Sequence, residues 1–146
     1  MLAVKRILLT VYGMIYLDVI IPGPWWNTLT YILKESVVPP SGSRVRVPLS
    51  NTSRVGFVSG ITDDSECEKN DVEYKEVTEV LDNSSVFGEN LWDLALWVGH
   101  YFMCGAGEVL KVISPPQLLN GDSITQGKVF GEKELDVNRK FYESEC

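Results

Sequence analysis

Arg44, Arg46 and Arg54 fall within one short stretch, and Lys75 follows further along the chain. Arg44 and Arg46 are two residues apart, a spacing that puts both side chains on one face of a β-strand. Together with Arg54 they would present positive charge to a partner. The net charge of −7 argues against a polyanion. Its distribution is uneven, however. Residues 22–61 carry four cations against Glu35, whereas residues 62–93 carry eleven acids against Lys69 and Lys75. Surface charges further apart than about 8–10 Å are screened at physiological salt. A basic face and an acidic face can therefore coexist, or both can be ordinary solvated surface.

Other chemistry finds little support. Asp63, Asp64, Glu66 and Glu68 lack the spacing of a calcium loop. Cys67, Cys104 and Cys146 are odd in number and form no Cys-x-x-Cys pair, and His100 is the single histidine. No structural zinc site or disulfide framework is expected, and reduced thiols in a cytoplasmic protein are the simplest account. Gly121–Lys128 imitates a phosphate loop, but its glycines are one residue too far apart and Val129 follows the lysine. With no nucleophile–base constellation, the chain is expected to be no enzyme, with neither cofactor nor metal.

The elements that position the cations read as a hairpin. Val45, Val47 and Leu49 alternate with Arg44, Arg46 and Pro48, the period of a half-buried strand. Ser50–Ser53 reads as the turn, and Val55, Phe57 and Ile61 resume the alternation. Before it, Ile15–Ile21 is a strand ended by Pro22-Gly23-Pro24, and Thr28–Leu33 favours another. Trp25 and Trp26 read as core residues near a sheet edge, with base stacking as the alternative. Tyr74–Leu81 returns to strand-like alternation, and Asp82–Ser85 offers a turn with helix N-cap candidates. From Gly88 to Met103 the period lengthens. Leu91, Leu94, Ala95, Val98, Tyr101 and Phe102 share one helical face, predicting a largely buried helix stopped near Gly105. A short helix over 107–113 is halted by Pro115-Pro116.

The fold expected is α+β: a small, mostly antiparallel sheet curled toward a barrel, with one long and one short helix near the C-terminus. The expected divisions are an extension over 1–14, a domain over 15–119 and a polar tail over 120–146. Lys5-Arg6 followed by an apolar run imitates a secretory leader. No cleavage pattern follows and Asp18 interrupts the run, so no membrane segment is expected.

In order along the chain, these blocks resemble the N-terminal DNA-binding domain of primosomal protein N′ (PriA), the replication-restart helicase. Thr28-Leu29-Thr30-Tyr31 stands where the family has Thr-Phe-Asp-Tyr. Gly42–Ser50 stands for its Gly-x-Arg-Val-x-Val-Pro-Phe-Gly hairpin, and Val55–Val58 for the second strand. Tyr74–Asp82 matches its Leu-Lys-x-Val-x-Glu-Val-Leu-Asp segment, and Leu91–Pro115 its helical end. The resemblance implies a module that captures the 3′ end of a nascent strand at a stalled fork. Its pocket positions fall on Leu29, Thr30, Ser50 and Lys75, of which only the lysine keeps the family residue. Arg44, Arg46 and Arg54 in the hairpin complete the expected DNA-binding set. The implied partners are branched or 3′-ended DNA and other replication-restart proteins, met by a monomer. The family's ATPase lobes and zinc sites do not fit within 146 residues and three cysteines, so helicase activity is not expected. The competing reading is a degenerate remnant that serves only as a protein-interaction surface.

Overall fold

The computed structural model describes residues 14–62 and 72–124. The expected extension, most of the acidic loop (63–71) and the tail from 125 onward lie outside these residues.

Five strands form one sheet: β1 (Ile15–Ile20), β2 (Leu29–Leu33), β3 (Arg44–Leu49), β4 (Thr52–Thr62) and β5 (Glu79–Val80), in spatial order β2-β1-β4-β3-β5 with antiparallel neighbours. The sheet curls until its edges nearly meet. The Ile32 amide donates to the Lys75 carbonyl and the Val77 amide to the Ile32 carbonyl, a short parallel bridge to β2. A few residues on, Thr78 and Leu81 donate to the Arg46 and Arg44 carbonyls of β3. One segment thus spans the gap between the outer strands, and both edges gain partners for exposed amides. The long strand expected over 74–81 is instead this split lead-in with two residues of true β5.

Alternation along the strands separates an inner and an outer core. Leu17, Val19, Tyr31, Leu33, Val45, Val47 and Val58 fill the curl. Ile20 and Phe57 face outward and meet the helices α1 (Gly88–Tyr101) and α2 (Ala106–Ile113) through Trp92, Ala95, Val109 and Leu110. Gly107 lets α2 approach closely, since a Cβ there would lie 2.3 Å from the Ile21 carbonyl oxygen. A third helix, α3 (Pro116–Asn120), begins on the proline pair expected only to end α2, because proline suits a first helical turn.

Several expectations are corrected. The hairpin turn is only Ser50-Asn51, with Ser50 at φ 54°. A bulge in β4 between the partners of Asp18 and Val19 shifts the register by one residue, so Ile61 faces the inner core while Phe57 faces the outer one. The helix α1 is not largely buried. It packs through Trp92, Ala95 and Gly99, while Leu91, Leu94, Trp97 and Tyr101 are exposed. Only one stripe of a helix that is apolar on two sides packs against Phe57 and α2. Trp26 is likewise exposed, and Trp25 lies largely at the surface. None of the candidate caps is used, for Phe87 precedes α1 without a side-chain bond. The helix ends at Tyr101, Met103 turns the chain in the left-handed region at φ 53°, and Gly105 opens α2 instead.

Candidate nucleic-acid interface

Strand direction decides which expected site residues meet. β1 and β3 run one way, and β2, β4 and β5 the other. The ends of β1 and β3 therefore share one rim with the starts of β2 and β4 and the lead-in to β5. Leu29, Ser50 and Arg54 lie on or just inside that rim, and Thr30 and Lys75 lie a step below it. Tyr31 ties the wall together, its hydroxyl donating to the Pro48 carbonyl at 3.0 Å. Burial raises the Tyr31 pKa above its ordinary value.

Thr30 and Lys75 lie on adjacent backbone segments, which are joined by the Ile32–Lys75 hydrogen bond of 2.9 Å. Thr30 is paired with Asp18 across β1 and β2, and its hydroxyl donates to Asp18 Oδ1 at 2.9 Å. The other carboxylate oxygen accepts from the Thr62 hydroxyl at 2.6 Å. The bulge makes this possible. It sets Gly60 opposite Asp18 and Thr62 opposite Tyr16. Beside the trio, the rings of Tyr16 and Tyr74 meet edge to face with centroids 5.3 Å apart. Asp18, Tyr16 and Tyr74 were not among the expected site residues. The signal available was the i, i+2 spacing of Tyr16 and Asp18 on a strand, which becomes meaningful only once β1 is aligned against Thr30.

The chemistry of this trio follows from its hydrogen bonds. With its proton committed to Asp18, the Thr30 hydroxyl offers lone pairs outward. Asp18 has further acceptor capacity beyond its two bonds. The result is a surface that accepts hydrogen bonds; Lys75, on the neighbouring lead-in segment, is an exposed donor with no ion pair among the described residues. Leu29 is half-buried against the inner core and offers only apolar contact. Ser50 is exposed at the hairpin tip, and no hydrogen bond joins it to Thr30 or Lys75.

The arginines divide differently from the sequence expectation. Arg44 is 1 % exposed and does not face a partner. Its Nε and one terminal nitrogen donate to Asp82 at 2.6 and 3.0 Å, and the remaining donors reach the Leu118 and Asp122 carbonyls at 3.0 and 2.9 Å. The outward face of β3 at Arg44 is covered by these segments rather than by solvent. Arg44 thus fastens the chain after β5 and the end of α3 to the barrel, and one of its partners, Asp122, lies just past the expected end at Leu119. Arg46 is partly exposed and pairs loosely with Glu79 at 3.4 Å. Arg54 is exposed and has no ion pair among the described residues. No group of histidine, cysteine or acidic side chains suited to a metal occurs among the described residues, and no helix there is long and apolar enough to cross a membrane.

A family model described as the 3′DNA-binding domain (3′BD) of PriA matches residues 18–115. The chain belongs to this family. Curated relatives agree with the assignment. The replication restart protein PriA of Buchnera aphidicola from Acyrthosiphon pisum is 28% identical over 118 residues, covering 79% of this chain and 15% of the relative. Its counterpart in Haemophilus influenzae is 30% identical over 93 residues, covering 64% and 12%. A second Buchnera PriA, from Schizaphis graminum, is 24% identical over 108 residues, covering 72% and 14%. The chain thus spans only about one-eighth to one-seventh of these relatives' length. Asp18, Thr30, Lys75 and the hairpin all fall inside the matched 3′BD segment, which is a binding domain and not a catalytic one.

Proposed function

We propose that this 3′BD chain binds DNA carrying a free 3′ end and holds the terminal nucleotide at the Asp18–Thr30–Lys75 face, without unwinding activity of its own. The observation that carries this is the hydrogen-bond-accepting Asp18–Thr30 pair on the strand next to Lys75, a cation with no ion pair among the described residues. A strand terminus is a hydroxyl donor one nucleotide from a phosphodiester, and the two groups complement Asp18–Thr30 and Lys75 respectively. Asp18 supplies across the sheet the carboxylate that Thr30 lacks. Leu29 contacts a base or sugar without reading its identity, and Ser50 bounds the rim. Arg46 and Arg54 add positive charge outside the pocket, while Arg44 serves the scaffold. Such a module works as a monomer in the cytoplasm, on branched DNA and beside other restart proteins.

Fluorescence anisotropy on a duplex with a recessed 3′-hydroxyl, against the same duplex ending in a 3′-phosphate, tests the reading. Tighter binding of the hydroxyl form is expected. Asp18→Asn should erase most of a preference on the order of tenfold, the scale of one hydrogen bond to a charged group. Equal binding of both ends by the unmodified chain sinks the proposal. The second reading, a protein-interaction surface, is favoured by the exposed Leu94, Trp97, Tyr101 and Phe102. It gains if no DNA binds at any salt concentration.

A further inference from the structure

The described residues contain six lysines and arginines, and their pairing separates them. Lys34, Arg44 and Arg46 have acidic partners. Lys75 belongs to the face described above. Arg54 and Lys111 remain, both exposed, and they line the same cleft of about 130 Å³. Its other walls are Ile21, Pro22, Val55 and Leu119, so no carboxylate among the described residues lines it. The nearest acid in sequence is Glu108, one turn back on α2, and it makes no ion pair with Lys111. Three separate elements build the cleft: the end of β1, the start of β4, and the α2–α3 layer. The end of β1 and the start of β4 belong to the rim that carries Leu29 and Ser50.

We infer that this cleft is a second anion subsite, which takes a phosphodiester of the bound nucleic acid between Arg54 and Lys111. Two cations without an ion pair among the described residues, over an apolar floor, suit a phosphate with its attached sugar. The guanidinium can engage two phosphate oxygens, and the ammonium acts as a point charge. A wall with no carboxylate among the described residues spares an anion the repulsion that acidic groups would impose. The inference rests on the DNA-binding reading but not on 3′-end capture. The cleft would hold the backbone, which positions without reading sequence, while the Asp18–Thr30 face would hold the terminus.

The double variant Arg54→Gln/Lys111→Gln tests it, since both side chains are exposed and the fold should tolerate their loss. Binding of hydroxyl-ended and 3′-phosphate-ended duplexes is measured across a salt series. Each phosphate contact contributes about 0.9 to the slope of log affinity against log salt. The double variant should therefore lose about 1 to 2 from the slope and bind about tenfold more weakly at low salt. Its preference for the free 3′ end should be kept. Arg54→Lys should retain most of the slope. In parallel, pyrophosphate titrated into the ¹⁵N-labelled chain should move the Arg54 side-chain Nε–H signal. An unchanged slope in the double variant overturns the subsite even where 3′-end preference is intact. A reduced slope with no end preference upholds the subsite and removes the terminal-nucleotide reading instead. Absence of both DNA binding and a pyrophosphate response overturns the subsite.

Discussion

Replacing Arg44 with methionine should weaken the fold severely while leaving the DNA interface of the surviving folded molecules unchanged. The guanidinium makes two bonds to Asp82 and one each to the Leu118 and Asp122 carbonyls. The pair is secluded, with side-chain exposures of 1 % for Arg44 and 13 % for Asp82. Methionine of similar length would fill much of the space. It would leave a mostly buried carboxylate without its cation and two carbonyls without donors. Breaking a buried pair from one side costs about 3–5 kcal/mol, a large share of the roughly 5–15 kcal/mol that holds a domain together. At roughly 4–8 °C per kcal/mol for a domain of this size, the midpoint should fall by more than about 12 °C. Urea unfolding followed by tryptophan fluorescence measures the change directly. The double variant Arg44→Met/Asp82→Leu should regain most of the loss, because an apolar pair leaves no stranded charge. A single-variant loss below about 1 kcal/mol would refute the view of Arg44 as a buried fastener. So would a salt slope of DNA binding that falls in the folded variant, since the residue would then be touching phosphate.

Other expectations follow from the same contacts. Trp92→Ala should cost about 3–5 kcal/mol, because the ring fills the outer core against Phe57 and Phe87. Trp97→Ala, on the exposed side of the same helix, should stay within about 0.5 kcal/mol, and chemical denaturation compares the two. Burial raises the Tyr31 pKa, so its protonated form is the one the fold favours. The associated stability is complete below the ordinary tyrosine value near 10 and is lost as pH rises through the raised value. Ultraviolet titration of the wild type against Tyr31→Phe should show one tyrosine ionising late, and that late step should be missing in the variant.

Much of the barrel was legible because its strands are amphipathic in the simplest way. Val45, Val47 and Leu49 turn inward as their spacing requires, and Ile15–Ile20 and Leu29–Leu33 form strands where β-branched and aromatic residues cluster. What escaped depended on pairing between distant segments. The bulge that turns Ile61 inward exists only because β4 is laid against β1. Arg44 and Arg46 look alike in sequence. One is covered because Asp82, Leu118 and Asp122 arrive over it from far along the chain, and the other is left at the edge. The α1 face was misjudged for a related reason. Apolar residues occupy two sides of that helix, and the side that packs is the one that meets Phe57, Val109 and Leu110 from distant parts of the chain. At the candidate site, Lys75 and Thr30 were visible as types in an ordered pattern. Asp18 was not, because its role depends on the strand register that sets it against Thr30.

The most direct test of the Asp18–Thr30–Lys75 face is amide chemical-shift mapping with a short oligonucleotide bearing a free 3′-hydroxyl, titrated into the ¹⁵N-labelled chain. Perturbations should centre on Tyr16, Asp18, Thr30 and Lys75 and should shrink when the same oligonucleotide ends in a 3′-phosphate. Perturbations confined to the exposed side of α1 around Leu94 and Trp97, or equal responses to both termini, would contradict it.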